Sequence, residues 1–276
     1  MIVKRAETLG VCKGVRRALS VVERALEQKH DGGLYTIGPL IHNPRIVEDF
    51  RKRGVSVVDD IAEISEGTVI VSAHGIGPEG RQQCRRRGIR MIDATCPDVR
   101  RVQKLVADLS ARGSHVLIIG DAGHREVKGI RGFAASSSVI ATEEEARSIS
   151  IPPVCAVVSQ TTFRRIEFEA ICRALRERNP GIEVLDTSCS ATETRQESLI
   201  ELSRTVDALL VIGGKQSANT QWLFRTAVQT GKPCWHIEGA EEIPADVSRY
   251  LAVGISAGAS TPDFLVDEVE KCLLAL

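Results

Sequence analysis

Short apolar segments alternate with longer amphipathic segments along the whole chain, and this alternation restricts the fold more than any other feature. The short segments are rich in Val and Ile, and most end at Gly or at a small polar residue. The longer segments, such as 13–29 and 97–112, place apolar residues at helical spacing. Alternating strands and helices predict an α/β fold with mostly parallel sheets. The predicted strands are 34–41, 68–74, 90–95, 115–121, 154–160, 182–187, 208–213 and 251–256.

Three cysteines share one sequence context, since each directly precedes a predicted amphipathic helix. Cys12 and Cys96 begin the same pattern, Cys-x-x-Val-Arg-Arg, and Cys189 begins a longer and looser version of it. Two polar loops follow each cysteine at similar distances, both at the carboxyl ends of predicted strands. The repetition predicts three related α/β units sharing a core around a pseudo-threefold axis. The expected units are 13–95, 96–188 and 189–276, and residues 1–12 form a strand that leads to the first cysteine.

Composition and charge argue against several classes of protein. The 276 residues, of which 43% are hydrophobic, can bury a core without disulfide bonds. The 36 Lys and Arg residues balance the 36 Asp and Glu residues, and only 4% are aromatic, so we expect no nucleic-acid partner. No segment resembles a transmembrane helix or a secretory signal, so we expect a cytoplasmic protein without a membrane partner. In that reducing compartment the cysteines should stay free of disulfides.

Three widely spaced thiols suit an iron–sulfur cluster better than a structural zinc site. Structural zinc usually takes four protein ligands with paired spacings such as Cys-x-x-Cys, which does not occur in this sequence. A cluster held by three cysteines would keep one iron free for a substrate. A cysteine at the start of a helix also has its thiolate form favoured by the helix dipole. We expect the other five cysteines to be small buried residues: Cys84, Cys155, Cys172, Cys234 and Cys272.

The polar loops favour a small anion such as a diphosphate. Their His, Asn, Ser and Thr side chains donate neutral hydrogen bonds, and their glycines let the backbone approach a ligand closely. Glu126 lies two residues after a histidine, and a carboxyl group beside a cluster and an anion should have a raised pKa, which suits a proton donor. An ordinary glutamate at a helix start explains Glu126 equally well at this point. The loop residues are His42, Asn43, His74, His124, Thr161, Thr162, Ser217, Asn219 and Ser260.

Taken in order, these motifs resemble those of the LytB (IspH) family, whose members are 4-hydroxy-3-methylbut-2-enyl diphosphate reductases of the methylerythritol phosphate route to isoprenoids. The resemblance extends over nearly the whole chain. It rests on motifs that keep the family's order and are highly specific as a set. They include Gly-Val-Cys12, His42-Asn43, Ala-His74-Gly, Ala-Thr-Cys96-Pro, Gly-His124-x-Glu126, Gln-Thr161-Thr162, Asp-Thr-x-Cys189, Ser217-x-Asn219 and Ala-Gly-Ala-Ser260.

The resemblance implies a trefoil of three α/β domains around one 4Fe–4S cluster per chain, held by Cys12, Cys96 and Cys189. It also implies that Glu126 is the proton donor, with Thr161 and His124 as its catalytic neighbours. The implied reaction is a two-electron reductive dehydroxylation that yields isopentenyl diphosphate, dimethylallyl diphosphate and water. The expected diphosphate-binding residues are His42, His74, His124, Thr162, Ser217, Asn219 and Ser260.

The resemblance further implies a monomeric oxidoreductase that receives electrons from ferredoxin or flavodoxin and its reductase. Three positions depart from the family. Ala218 stands where a second Ser is usual and removes one hydroxyl donor for the diphosphate. Val11 replaces the usual aromatic residue before the first cysteine and Ser188 replaces the usual Ile before the third, and both are changes of packing.

Two other functions remain possible from the residues. The first is a trefoil iron–sulfur enzyme of another reaction class, similar to quinolinate synthase. The second is a non-catalytic iron–sulfur sensor that binds an isoprenoid diphosphate. The Gly-His-x-Glu and Gln-Thr-Thr motifs argue against the first, and the presence of both Glu126 and Thr161 argues against the second.

Overall fold

A computed structural model describes residues 1–41 and 43–276, and it confirms the predicted α/β fold. The strands form three four-stranded sheets in which every pairing is parallel. The chain divides into two compact units. The first consists of Met1–Arg16, Ile41–Phe50 and Ser190–Leu276, and the second of Arg17–Leu40 and Arg51–Cys189. One sheet lies in the first unit and two lie in the second.

The first sheet of the second unit has the strand order β3-β2-β4-β5. Leu34 of β2 pairs with Val55 on one side and with Thr68 on the other. The central strand β4 is buried along its whole length, whereas β3 at the edge exposes its middle residues. Along the chain from 13 to 93 the elements are α1 (Lys13–Leu26), β2 (Leu34–Ile37), α2 (Pro44–Lys52), β3 (Val55–Val58), β4 (Thr68–Val71), α3 (Pro78–Arg86) and β5 (Arg90–Asp93). The start of α1 and most of α2 belong to the first unit.

The second sheet of this unit repeats the pattern, with the order β7-β6-β8-β9. Apolar residues cover both of its faces. Val116 and Ile118 pack under α4 and α5, and Leu117 and Ile119 pack under α6 and α7. The elements are α4 (Pro97–Ala111), β6 (His115–Ile119), α5 (Arg125–Arg131), β7 (Ser137–Ile140), α6 (Glu143–Ser148), β8 (Cys155–Ser159), α7 (Arg165–Arg178) and β9 (Glu183–Val184).

The sheet of the first unit has the order β11-β10-β12-β1. Its last place is taken by β1, the strand expected near the N-terminus, which pairs with β12 from Ile2↔Ala252 to Arg5↔Ile255. Helices α8 and α9 cover one face of the sheet and α10 covers the other. The elements are β1 (Ile2–Arg5), α8 (Ser190–Ser203), β10 (Ala208–Ile212), α9 (Ala218–Gln229), β11 (Cys234–Ile237), β12 (Ala252–Ala257) and α10 (Asp263–Leu274).

The three sheets share one spatial order. In both sheets of the second unit, the second strand along the chain lies at one edge and the first, third and fourth follow. In the first unit β10, β11 and β12 take the first three roles, and β1, although it comes first in the chain, takes the place of the fourth. Each repeated cysteine follows the strand at the other edge: Cys12 follows β1, Cys96 follows β5 and Cys189 follows β9. The polar loops follow the two central strands of each sheet, which are neighbours. In open parallel sheets, ligands bind beyond the carboxyl ends of strands at this point of reversal. The three-domain boundaries and the trefoil arrangement stay predictions.

Most predicted strands are present but shorter than expected; the strand predicted at 34–41, for example, ends at Ile37. The edge strands β3, β7 and β11 were not predicted from the sequence. None of the helices among the described residues has the length and apolar character needed to cross a membrane.

The five unrepeated cysteines are only partly as expected. Cys84, Cys155 and Cys172 lie in apolar cores, and burial raises the pKa of each thiol, to about 11 for Cys172. Cys234 is half-buried, and burial also raises its thiol pKa. The prediction was wrong for Cys272, which is exposed, because α10 turns its neighbours Val269 and Leu273 toward the core.

Candidate functional site

The loop after β6 presents Glu126 at the start of α5. His124 caps this helix, because its Nδ1 accepts a hydrogen bond from the Glu126 N–H at 3.2 Å. The cap fixes the first turn and thereby holds Glu126 at the carboxyl end of the sheet, where the sequence predicts it.

The Glu126 carboxyl group is buried, with a side chain only 2% exposed, and a single threonine holds both of its oxygens. The Thr161 N–H donates to Oε1 at 2.6 Å, and the Thr161 hydroxyl donates to Oε2 at 3.0 Å. Burial raises the pKa of Glu126 to about 7, because the bonds from Thr161 only partly offset the loss of solvent and the charge of Asp98 adds to it. Glu126 can therefore hold a proton near neutral pH.

Thr161 also connects this acid to a cysteine. The Cys189 N–H donates to the Thr161 carbonyl at 2.7 Å, and the Cys189 thiol lies 3.5 Å from Asp98 Oδ2. Asp98 is the second residue of α4, directly after Cys96 and Pro97. One run of contacts thus links the buried acid to Cys189 and to the helix that follows Cys96. Sequence reasoning missed Asp98, because an acidic residue in the first turn is explained by the helix dipole alone.

Two of the predicted diphosphate ligands meet in this unit. The rings of His74 and His124 pack edge to face, with centroids 5.2 Å apart. His74 Nδ1 lies 3.3 Å from Ser72 Oγ, so the end of β4 orients the ring. The predicted ligand Thr162 is exposed, and its hydroxyl accepts a hydrogen bond from the Gln160 amide at 3.2 Å.

In the first unit, backbone bonds and a buried arginine fix the loop of Cys12. The Cys12 N–H donates to the Ala259 carbonyl at 3.1 Å, and Cys12 Sγ accepts from the Val15 N–H at 3.4 Å. Arg195, only 4% exposed, donates to the Gly10 carbonyl through Nε at 3.1 Å and through Nη2 at 2.6 Å. No role was predicted for Arg195, since its partner is remote in the chain.

The other predicted ligands of this unit lie at the start of α9 and in the loop after β12. Ser217 caps α9 by accepting from the Thr220 N–H, and Ser260 is buried beside Asn43, whose amide donates to the Ser260 carbonyl at 3.4 Å. Asn219 Nδ2 is buried without a hydrogen-bond partner among the described residues. An unpaired donor at a helix N-terminus is a favourable partner for an anion oxygen. His42 lies outside the described residues.

The chemistry of the three repeated cysteines fits an iron–sulfur cluster. Each is half-buried rather than enclosed in a core, and each directly precedes a helix, whose N-terminus favours thiolate. Cys12 belongs to the first unit, and Cys96 and Cys189 to the second. Among the described residues, neither unit by itself contains three His, Cys, Asp or Glu side chains placed around one metal ion.

Fold and site define a class of α/β protein in which a half-buried cysteine follows an edge strand of each parallel sheet and one buried acid is held by a threonine. The family described as LytB protein matches residues 3–274, and the chain belongs to this family.

Relatives match over the full length of the chain. The 4-hydroxy-3-methylbut-2-enyl diphosphate reductase of Treponema denticola is 43% identical over 99% of both chains. The reductase of the same name from an Anaeromyxobacter species is 39% identical over 100% of this chain and 98% of its own.

Two solved structures are also similar. The first is (E)-4-hydroxy-3-methyl-but-2-enyl diphosphate reductase, the terminal enzyme of the non-mevalonate pathway, with 35% identity, a TM-score of 0.79 and full coverage of both chains. The second is the E-1-hydroxy-2-methyl-but-2-enyl-4-diphosphate reductase of Plasmodium falciparum, with 25% identity, a TM-score of 0.88 and coverage of 100% of this chain and 87% of that one.

Proposed function

We propose that this chain is a 4-hydroxy-3-methylbut-2-enyl diphosphate reductase, the last enzyme of the methylerythritol phosphate pathway. It cleaves the bond between C4 and its hydroxyl group. Two electrons and two protons enter; one proton leaves with the hydroxyl group as water, and the other is added to carbon. The products are isopentenyl diphosphate and dimethylallyl diphosphate. Family membership and the names of the full-length relatives support this reaction.

One observation carries the proposal within this chain, namely the buried Glu126 held by Thr161. A general acid is most effective when its pKa lies near the working pH, and the pKa of Glu126 is about 7. Glu126 supplies the proton with which the hydroxyl group leaves. The Thr161 hydroxyl touches Glu126 Oε2 and can pass that proton on, because a hydroxyl both accepts and donates. His124 holds the first turn of the helix that carries the acid.

The substrate diphosphate is bound by neutral donors and histidines, namely His42, His74, His124, Thr162, Ser217, Asn219 and Ser260. The buried Asn219 amide, which has no hydrogen-bond partner among the described residues, supports this assignment. Their bonds hold the substrate in position, which converts binding energy into orientation of the reacting group.

The cofactor is one 4Fe–4S cluster held by Cys12, Cys96 and Cys189. When bound, it supplies electrons and an iron with an open coordination position. Ferredoxin or flavodoxin with its reductase is the electron donor, and the enzyme acts as a monomer in the cytoplasm. A sensor without catalysis would not need an acid that retains its proton near neutral pH, so the environment of Glu126 favours the enzyme over that alternative.

The test is an anaerobic assay of the protein reconstituted with iron and sulfide. Reduced methyl viologen supplies electrons, and dye oxidation is followed after addition of 4-hydroxy-3-methylbut-2-enyl diphosphate. We expect substrate-dependent oxidation that disappears in Cys12→Ser. The matched control is Cys272→Ser, because Cys272 is exposed on α10 and should have no role. A protein that has its full iron and sulfide content yet oxidises no dye would contradict the proposal.

A further inference from the structure

A cationic groove borders Cys96 in the second unit. The groove has a volume of about 360 Å³, and Thr95 and Pro97, on either side of Cys96 in the chain, contribute to its wall. The remaining lining residues all carry positive charge: Arg17, Arg100, Arg101 and Lys104. Cys96 itself is half-buried, so the groove reaches the immediate surroundings of a proposed cluster ligand.

Helix α4 supplies most of this charge. Arg100, Arg101 and Lys104 lie on its solvent-exposed side, whereas Val99 and Val102 face the core. They are the only cations within α4, and none lies in its last turn, although the helix dipole favours cations near the C-terminal end. The helix dipole therefore does not explain their position.

Part of the charge is fixed in place and part is free to meet a partner. The Arg17 guanidinium donates to the carbonyls of Asp93 and Thr95 at 3.3–3.4 Å. Arg100 pairs with Asp93 at 3.1 Å, but Arg81 shares that carboxylate at 2.9 Å. In the part of the chain that the structure describes, neither Arg101 nor Lys104 forms an ion pair, although Arg101 lies close enough to the carboxylate of Asp186 to attract it. The groove therefore keeps an excess of positive charge in a chain whose net charge is zero.

We propose that this groove is the docking surface for a small acidic protein that carries one electron at a time. The inference rests on the proposed function, because the reduction consumes two electrons that must come from outside the chain. Two encounters, each of which oxidises one carrier molecule by one electron, balance one turnover. Opposite charge steers the two proteins together and orients them, and proximity to Cys96 shortens the path of the electron.

The test compares charge reversal in the groove with the same reversal elsewhere. The groove variant is Arg101→Glu with Lys104→Glu, since both side chains are exposed and neither forms an ion pair. The control is Arg85→Glu with Arg86→Glu on α3, which makes the same change in net charge. These residues end a helix that runs back from the carboxyl edge of its sheet, so they lie away from the groove. The probes are an acidic plant-type [2Fe–2S] ferredoxin and, in a second arm, a flavodoxin.

Two readouts are needed. The first is the Kd of the oxidised ferredoxin for the reconstituted protein at low salt without substrate, which does not depend on turnover. We expect the groove variant to bind at least tenfold more weakly than the wild type, and the control variant within twofold. The second is the ratio of ferredoxin-driven to viologen-driven turnover, which should fall at least tenfold in the groove variant because the cationic dye needs no acidic docking.

Several outcomes would overturn the docking proposal. Unchanged affinity of the groove variant would do so, as would an equal loss in the control variant. Equally tight binding of a short DNA duplex would identify a general polyanion surface instead. If the wild type binds ferredoxin through the groove but shows no turnover with either electron source, the docking stands and the proposed reaction fails. If turnover is normal and the groove variant leaves the ratio unaffected, the reaction stands and the docking fails.

Discussion

Two carboxyl groups in the second unit accept the same pair of donors and yet have pKa values shifted in opposite directions. Glu126 accepts the N–H and the hydroxyl of Thr161, and Asp93 accepts the N–H and the hydroxyl of Thr95. The pKa of Glu126 is raised to about 7, and that of Asp93 is lowered. Hydrogen bonds from a threonine therefore do not decide which of the two is an acid at neutral pH.

The difference lies in burial and in the neighbouring charge. Burial opposes ionisation of both groups, but Asp93 keeps 21% of its side chain exposed, and its bonds from Thr95 and Arg81 outweigh the effect of burial. Glu126 is almost fully buried, and the charged neighbour that acts on it is the carboxylate of Asp98. The same local motif thus produces a carboxylate beside cations and, beside another carboxylate, a carboxyl group that keeps its proton near neutral pH.

The largest expected effect comes from removing the acid. Glu126→Gln keeps the shape of the side chain but cannot supply a proton, so turnover should fall by about 10²–10⁴-fold. Iron and sulfide content and substrate affinity should stay near the wild-type values, which separates lost chemistry from a lost fold. Unchanged turnover in this variant would remove Glu126 from the mechanism.

The two carboxyls should also affect stability with opposite pH dependence. The folded pKa of Glu126 lies above its unfolded value of 4.5, so its contribution is fully present below pH 4.5 and is lost as pH rises through about 7. Relative to wild type, Glu126→Gln should gain about 3 kcal/mol of unfolding free energy across that window. The lowered pKa of Asp93 has the opposite effect on stability, which is present at neutral pH and lost in acid. Asp93→Asn should therefore be destabilised most at neutral pH. Urea unfolding at several pH values measures the unfolding free energy of wild type and of both variants. If these free energies changed with pH in the same way in all three proteins, the assigned pKa shifts would be contradicted.

A smaller effect is expected from removing the Thr161 hydroxyl that holds Glu126. Thr161→Val removes a bond that favours the carboxylate, so the pKa of Glu126 should rise further and the alkaline limb of kcat/KM should move to higher pH. Loss of the contact should also lower turnover about tenfold. Thr161→Ser, which keeps the hydroxyl, is the matched control and should retain the wild-type limb.

The smallest shift should come from the neighbouring charge. Asp98→Asn removes a negative charge that raises the pKa of Glu126, so the alkaline limb should move to lower pH. This direction is opposite to that of Thr161→Val, and a pH profile of kcat/KM distinguishes the two variants. A shift in the same direction in both would mean that Asp98 acts on Glu126 through position rather than charge.

The sequence predicts the interior of this fold better than its edges. Central strands such as β8 and β10 are continuous apolar runs, because helices cover both of their faces. The missed strands β3, β7 and β11 lie at sheet edges, where partial exposure admits Ser and His and dilutes the apolar pattern. The strand predicted at 34–41 was too long because apolar residues continue past Ile37 into the polar loop.

At the candidate site, too, the sequence predicts residues in local motifs better than residues whose partners are remote in the chain. Glu126 was singled out because its motif is local, and the structure places it in the first turn of α5; its role as proton donor stays a prediction. Asp98 and Arg195 were missed because their roles depend on partners far away in the chain, Cys189 and Gly10. Spacing identifies which residues recur, but the pKa of Glu126 depends on burial and on Asp98, which only the folded structure brings to it.

The pairing of β1 with β12 has a consequence for how the enzyme is made. The ribosome synthesises β1 before any other strand. β1 can pair only after β12, the last strand, has been made. The two sheets of the second unit have all their strands much earlier, so they can form during synthesis. The loop of Cys12 depends on the Ala259 carbonyl and on Arg195, so it is set only after nearly the whole chain has emerged. The loop that carries the proposed cluster ligand Cys12 therefore forms late, at a stage that a truncated nascent chain cannot reach.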